Sequence, residues 1–179
     1  MKAYHFAALT ALMGVSFLAG GIATALARQR VDNWYRTFSR PEKVPPPPAY
    51  GWAWRSMYVL LGAAAWLAWM AAPQWGLPGI RLAMVLYFVA LGLNVLWSGL
   101  FFWGARPGAA FAAVLGQWLV TLAALIVFWS ISMLPGALLI PVLVWTGFVA
   151  IRSLAWWRHG RQFGPLEPQG TVPSTRLVA

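Results

Sequence analysis

The chain has 179 residues, of which 61% are hydrophobic and 9% are charged, whereas soluble domains hold roughly 25% charged residues. Thirteen Lys and Arg residues oppose three acids, which gives a net charge of +10, and the chain has 13 Trp and no Cys. This composition predicts a membrane protein and excludes disulfides, thiolate nucleophiles and iron–sulfur clusters.

Five stretches are long and apolar enough to cross the hydrocarbon core as helices, which takes about 20 residues each. Their continuous apolar runs, rich in Ala and Leu, favour helices over strands. The short links between the later stretches make neighbouring helices antiparallel. We therefore predict an all-α membrane protein, a bundle of five transmembrane helices. The predicted spans are residues 4–27, 52–72, 80–104, 108–133 and 136–157.

The acids and basic residues limit the function further. All three acids lie outside the apolar runs, so we expect no metal site, no cofactor and no carboxylate relay within the membrane. The basic residues flank the apolar runs instead of forming one patch, so no nucleic-acid partner is expected. No conventional catalytic acid, base or thiol is found, and we do not expect a conventional enzyme.

Positive charge also predicts the orientation. Among the basic residues, only Lys2 and Arg81 fall on the side of the N-terminus. The positive-inside rule therefore places the N-terminus outside and the C-terminus in the cytoplasm. The first span resembles a cleavable signal, but it is longer than a signal core and Arg28 follows it, so we expect it to be retained. Residues 158–179 are expected to form a disordered cytoplasmic tail.

The first loop, residues 28–51, is the only long connection between the predicted spans. Loops of this length in compact folds are functional lids or disordered segments. Prolines reduce the entropy lost when a loop becomes ordered, and aromatic side chains supply apolar area. We therefore predict a lid over the bundle, with an interfacial amphipathic segment as the alternative. The lid residues are Trp34, Pro41, Pro45 and Pro46.

Polar and aromatic residues of the third span share one helical face. Asn94, Trp97, Ser98 and Phe101 stand at positions i, i+3, i+4 and i+7. An amide in hydrocarbon is costly without a hydrogen-bond partner, so we expect this face to point into the bundle. Packing contacts between helices are the alternative role for Asn and Ser in a membrane.

The second and fifth spans bring further aromatic residues to the same depth. Trp54 and Tyr58 lie near the start of the second span, and Trp145 and Phe148 lie in the returning fifth span. Together with the third span they predict a pocket for a flat, largely apolar ligand. We expect Arg152 to extend to the headgroups; if it faced inward, it would meet a ligand carboxylate.

The same residues form motifs with several uncommon residue types at fixed local spacing. Through them the sequence resembles the translocator protein family (TspO/MBR, the family of the peripheral benzodiazepine receptor), from about Gly14 to Trp157. The motifs are Trp34-Tyr35-x-x-x-x-Arg40-Pro41 with Pro45-Pro46, Trp54-x-x-x-Tyr58-x-x-x-Gly62, Asn94-x-x-Trp97-Ser98 with Arg106-Pro107-Gly108, and Pro141-x-x-x-Trp145-x-x-Phe148.

The resemblance implies a homodimeric five-helix membrane receptor or carrier for porphyrins (tetrapyrroles) or other hydrophobic small molecules. It would act in sensing, regulation or transport, with its pocket beneath the first loop. The ligand-contact positions that match are Tyr35, Trp54, Asn94, Ser98 and Trp145, and Trp97 and Phe148 also match pocket positions.

Two alternatives stay open. Trp54 and Trp145 match the tryptophans implicated in porphyrin breakdown in some bacterial members, so light- or oxygen-driven degradation is one. A membrane scaffold that binds no ligand is the other. The sequence also departs from the family pattern: Ala90 replaces a common Gln, and Arg152-Ser153 replaces Leu-Asn. We therefore interpret the chain as a divergent, bacterial-type member and do not predict cholesterol as its ligand.

Overall fold

Helices account for the secondary structure that the computed structural model describes, which covers residues 3–28, 47–71 and 78–163. Ala and Leu favour helix, and most prolines within the described helices stand in first turns, where no N–H is needed. An exception is Pro141, inside the last helix. The helices are α1 (Ala3–Arg28), α2 (Pro47–Ala71), α3 (Pro78–Ser98), α4 (Pro107–Ile131) and α5 (Met133–Phe163).

Four of these helices are long and apolar enough to cross a membrane: α1, α3 with the turn that follows it, α4 and α5. This supports an integral membrane protein. The second predicted span, residues 52–72, is helical as α2, with 25 residues. It is not among the four, because Arg55 and several tryptophans lower its mean hydropathy. A fifth crossing of the membrane thus stays a prediction.

The helices pack in a ring. Helix α1 contacts α2 and α3, α2 contacts α5, and α5 and α3 both pack on α4. Glycine permits the close approach of α1 and α2, because a Cβ added at Gly62 would lie 2.6 Å from Sδ of Met13. The ring therefore has a shared interior between α1, α2, α3 and α5, and this interior is where the cavity described below lies.

Two helix ends differ from the sequence prediction. The predicted break at Pro135–Gly136 is wrong. The chain turns at Ser132, which is extended, and Pro135 and Gly136 belong to the first turn of α5. A Cβ added at Gly136 would lie 2.8 Å from Cα of Trp129, so glycine permits this tight turn. Helix α5 also continues to Phe163, beyond the predicted end at residue 157.

The end of α3 widens into a π-helical turn, Gly99–Trp103. The N–H of Gly104 donates to the carbonyl of Gly99 at 2.8 Å, five residues back. Such turns are rare and often occur at functional sites. Here both Phe101 and Phe102 lie on the wall of the cavity, with ring centroids 5.0 Å apart.

Candidate functional site

A cavity of about 780 Å³ lies between α1, α2, α3 and α5, at the end of the bundle where α1 ends and α2 begins. Ligand pockets in proteins have volumes of roughly 300–1,000 Å³, so it is large enough for a sizeable small molecule. Its walls include Phe17, Gly20 and Thr24 of α1, Tyr50, Trp54 and Tyr58 of α2, Asn94, Trp97 and Ser98 of α3, and Arg152, Ser153 and Trp156 of α5.

Five of the residues that the sequence predicted for a ligand site line this one cavity. They are Trp54, Tyr58, Asn94, Trp97 and Ser98. Helical periodicity explains their convergence, because positions i, i+3 and i+4 of α3 and i, i+4 of α2 each share a face.

The indole ring of Trp54 is the centre of the aromatic wall. Its centroid lies 6.0 Å from that of Tyr58 and 5.6 Å from that of Trp97, with interplanar angles of 26° and 34°. The Tyr58 ring is therefore stacked on Trp54, and the Trp97 ring is tilted against it. Offset aromatic pairs of this kind contribute about 0.5–1.5 kcal/mol each beyond their burial. We call this wall of Trp54, Tyr58 and Trp97 the platform.

Trp145 and Phe148 stand behind this platform and are not among the lining residues. The Trp145 ring meets Trp54 edge-on, with centroids 6.0 Å apart and an angle of 85°. On its other side it contacts Phe148 at 5.4 Å and Tyr50 at 5.4 Å. These two predicted residues thus support the aromatic wall, and any direct contact with a ligand stays a prediction.

The amide of Asn94 is held at one end only. The Tyr58 hydroxyl donates to its Oδ1 at 2.6 Å. Asn94 is 1% exposed, and its Nδ2 has no hydrogen-bond partner. Because the oxygen accepts from Tyr58, the amide N–H₂ is the group left without a partner. A buried donor without a partner costs about 1–3 kcal/mol.

Two other hydrogen bonds join helices around the cavity. The indole N–H of Trp97 donates to Oγ of Ser153 at 3.1 Å, which joins α3 to α5. The Ser98 hydroxyl donates to the carbonyl of Ala23 at 2.7 Å, which joins α3 to α1. The proton of Ser98 is therefore used in helix packing, the alternative role that its residue type suggested.

Arg152 lines the cavity and is partly buried, and its expected contact with the headgroups stays a prediction. Its Nε and Nη2 are buried and have no hydrogen-bond partner. The rotation of α5 places Arg152 and the following Ser153 on the cavity wall. This rotation depends on tertiary packing and has no signal in the local sequence.

The charge around the cavity is positive. Arg28 and Arg55 also line it, although both are exposed. The three acids of the chain, Asp32, Glu42 and Glu167, all lie outside the described residues. Within the described part of the chain, therefore, the cavity has basic groups and no carboxylate to neutralise them.

The α1 wall was missed by sequence reasoning. A Cβ added at Gly20 would lie 2.5 Å from Cε2 of Tyr58, so the tyrosine ring packs directly on the α1 backbone. Phe17 and Thr24 complete this wall one turn away on either side. The Gly20-Gly21 pair was the available signal, since small residues allow helices in membranes to approach closely.

The predicted lid cannot be placed. Trp34, Tyr35, Pro41, Pro45 and Pro46 all lie outside the described residues, so the lid and the contact of Tyr35 with a ligand stay predictions. The described chain resumes at Pro47, and Tyr50 near the start of α2 lines the cavity. The first loop therefore connects the last turn of α1 to the first turn of α2, and both of these helix ends lie at the cavity.

Comparison with known proteins yields one family and several relatives. The profile of the TspO/MBR family matches residues 7–158, which include all the lining residues. The tryptophan-rich sensory protein of Cereibacter sphaeroides is 34% identical over 133 residues, 73% of this chain and 80% of that protein. The tryptophan-rich protein TspO of Archaeoglobus fulgidus is 30% identical over 149 residues, 83% and 92% of the two chains. Translocator protein 2 of Canis lupus familiaris is 29% identical over 139 residues, 76% and 80%.

Proposed function

The chain belongs to the TspO/MBR family, and from this premise we propose that it is a membrane receptor or carrier that binds porphyrins or similar flat hydrophobic molecules between its helices. The observation that carries the proposal is the cavity of about 780 Å³ with three aromatic rings in contact on its wall, where Tyr58 is stacked on Trp54 and Trp97 is tilted against it. The names of the relatives, sensory protein and translocator protein, suggest sensing or transport as the role of binding.

The chemistry of the wall suits a tetrapyrrole. A porphyrin macrocycle is flat and largely apolar, so it gains most from aromatic faces and from the removal of apolar surface from water. Few polar groups are needed, and they serve to orient the ligand. Asn94 and Arg152 supply such groups at the edge of the aromatic platform.

The proposal includes the position of the cavity in the membrane. Helix α2 packs between α1 and α5, and its 25 residues are enough to cross the hydrocarbon core, so we take it as a fifth span. The positive-inside rule then places the cavity toward the cytoplasmic face and the C-terminus in the cytoplasm. The first loop would close over the cavity, and the inner membrane of a bacterium would hold the protein.

The test is a titration of the purified full chain in lipid nanodiscs with protoporphyrin IX, followed by the shift of the porphyrin Soret band. This readout does not depend on the number of tryptophans. We expect saturable binding to the wild type. In Trp54→Ala we expect at least about tenfold weaker binding, because the central aromatic face is lost.

The matched control is Trp129→Ala. Trp129 is 43% exposed on α4 and does not line the cavity, so this change should leave the affinity within about twofold. No saturable binding to the wild type would contradict the proposal and favour a scaffold without a ligand. Equal losses in both variants would contradict the cavity as the binding site.

A further inference from the structure

The cavity has buried hydrogen-bond donors that have no acceptor. Nε and Nη2 of Arg152 and Nδ2 of Asn94 are all buried and without a partner, and both residues line the same cavity. Other unpartnered polar atoms, such as Oε1 of Gln117 and Nε1 of Trp145, belong to residues that do not line it. The donors beside the cavity are therefore a distinct group, and an acceptor in the cavity would relieve their cost.

The position of both donors is set by their neighbours. Asn94 is fixed because its Oδ1 accepts from Tyr58, which leaves the N–H₂ as the free end of the amide. Arg152 precedes Ser153, whose hydroxyl accepts from Trp97 at 3.1 Å. This bond fixes the rotation of α5 at the depth of Arg152. The Asn94 amide is thus held in place before any ligand binds, and the rotation of α5 sets the wall on which Arg152 stands.

The group that fits these donors is a carboxylate. A guanidinium presents parallel N–H groups that match the two oxygens of a carboxylate, and such charge-assisted bonds are about twice as strong as neutral ones. Within the described part of the chain no acid is present to occupy Arg152. Arg28 and Arg55 at the same cavity add positive charge.

We propose that Arg152, assisted by Asn94, is a specificity-determining residue that selects flat hydrophobic ligands bearing a carboxylate over neutral ones. This rests on the proposed function. The flat body of the ligand lies on the Trp54 platform, and its carboxylate accepts from Arg152 and Asn94.

The experiment compares two ligands of nearly the same shape, protoporphyrin IX with its two carboxylates and protoporphyrin IX dimethyl ester with none. Each is titrated against the full chain in nanodiscs of zwitterionic lipid, with empty nanodiscs subtracted because the ester partitions into lipid. The quantity measured is the ratio of the Kd of the ester to the Kd of the acid. For the wild type we expect a ratio of at least about ten, as a charge-assisted contact supplies.

In Arg152→Gln the ratio should fall to about one to two, because the carboxylate of the acid loses its charged partner. Arg152→Lys, which keeps the charge but not the planar fork, should give an intermediate ratio. The matched control is Arg158→Gln. Arg158 is exposed on the same helix and does not line the cavity, so its loss should leave the wild-type ratio.

Saturable binding of both ligands with equal affinity in the wild type would overturn the selectivity and leave the proposed function standing. A wild-type ratio that survives in both Arg152 variants would do the same. Absence of saturable binding by either ligand would overturn the proposed function and the selectivity with it. A ratio that falls equally in Arg158→Gln would contradict the role of the cavity arginine.

Discussion

Tyr87 and Asn94 lie about two turns apart on α3, roughly 10 Å along the helix, and both are 1% exposed. Tyr87 donates to the carbonyl of Leu12 at 2.6 Å, and its oxygen accepts from Ser16 at 2.8 Å. Asn94 accepts one hydrogen bond and leaves its N–H₂ without a partner beside the cavity. The two side chains are thus equally buried, but only Asn94 has a donor without a partner. That unpartnered donor, and not the burial, distinguishes the candidate site.

The apolar surroundings differ in the same way. The core around Tyr87 includes the small, fully buried Ala64, Ala65 and Ala83, and small residues let helices in membranes approach closely. Beside Asn94 the large rings of Trp54 and Trp97 are in contact with each other and line the cavity. We call the region around Tyr87 and the three alanines the packed half, and the region around Asn94, Trp54 and Trp97 the cavity half. The first should determine stability and the second ligand binding.

The largest effect should come from Tyr87→Ala in the packed half. Removal of a buried aromatic side chain leaves a cavity and should lower the free energy of unfolding by about 3–5 kcal/mol. Scanning fluorimetry of tryptophan emission would show this as a lower Tm. The protein that remains folded should bind protoporphyrin IX as tightly as the wild type does. If fully folded Tyr87→Ala protein bound protoporphyrin IX much more weakly than the wild type does, the two halves would not be independent.

A smaller effect should come from Gly20→Ala in the cavity half. The new Cβ would lie 2.5 Å from the Tyr58 ring, so the ring must move toward the cavity and its bond to Asn94 must change. We expect porphyrin affinity to fall by about fivefold, close to 1 kcal/mol. The matched control is Gly14→Ala on the same helix, where an added Cβ meets nothing within 4 Å. If the two changes lowered porphyrin affinity equally, the role of Tyr58 in binding would be contradicted.

The smallest effects should come from removing single hydroxyl groups, that of Tyr87 in the packed half and that of Tyr58 in the cavity half. Tyr87→Phe removes both hydrogen bonds of this hydroxyl, which join α1 and α3, and should cost about 0.6 kcal/mol of stability for each bond, a typical value for membrane proteins, with unchanged affinity. Tyr58→Phe frees Oδ1 of Asn94 and should weaken the preference for the free acid of protoporphyrin over its ester by about twofold to threefold. If Tyr87→Phe changed the ligand preference and Tyr58→Phe did not, the assignment of the two halves would be reversed.

The sequence was sufficient for the parts of the site that depend on helical periodicity. Asn94, Trp97 and Ser98 share a face because α3 is regular, and Trp54 and Tyr58 share one on α2 for the same reason. The polar or aromatic character of these residues in an apolar span indicated which face points inward. The turn at Ser132 was mispredicted because proline and glycine can start a helix as well as end one.

What depends on the rotation and approach of neighbouring helices could not be predicted. Arg152 was expected at the headgroups, and only the packing of α5 on α2 and α4 places it on the cavity wall. The α1 wall depends on the contact between Gly20 and Tyr58, residues far apart in the sequence. Such contacts follow from the whole bundle, whereas periodicity is a property of one helix.

The most direct test of the account is the position of a bound porphyrin. Zinc protoporphyrin IX bound to the full chain can be located in crystals from the anomalous scattering of its zinc. The account predicts a single strong zinc peak inside the cavity, over the face of Trp54 and beside Trp97, with the carboxylates on the side of Arg152. A peak on the outer surface of the bundle, for example against Trp129 on α4, with no peak in the cavity would contradict it.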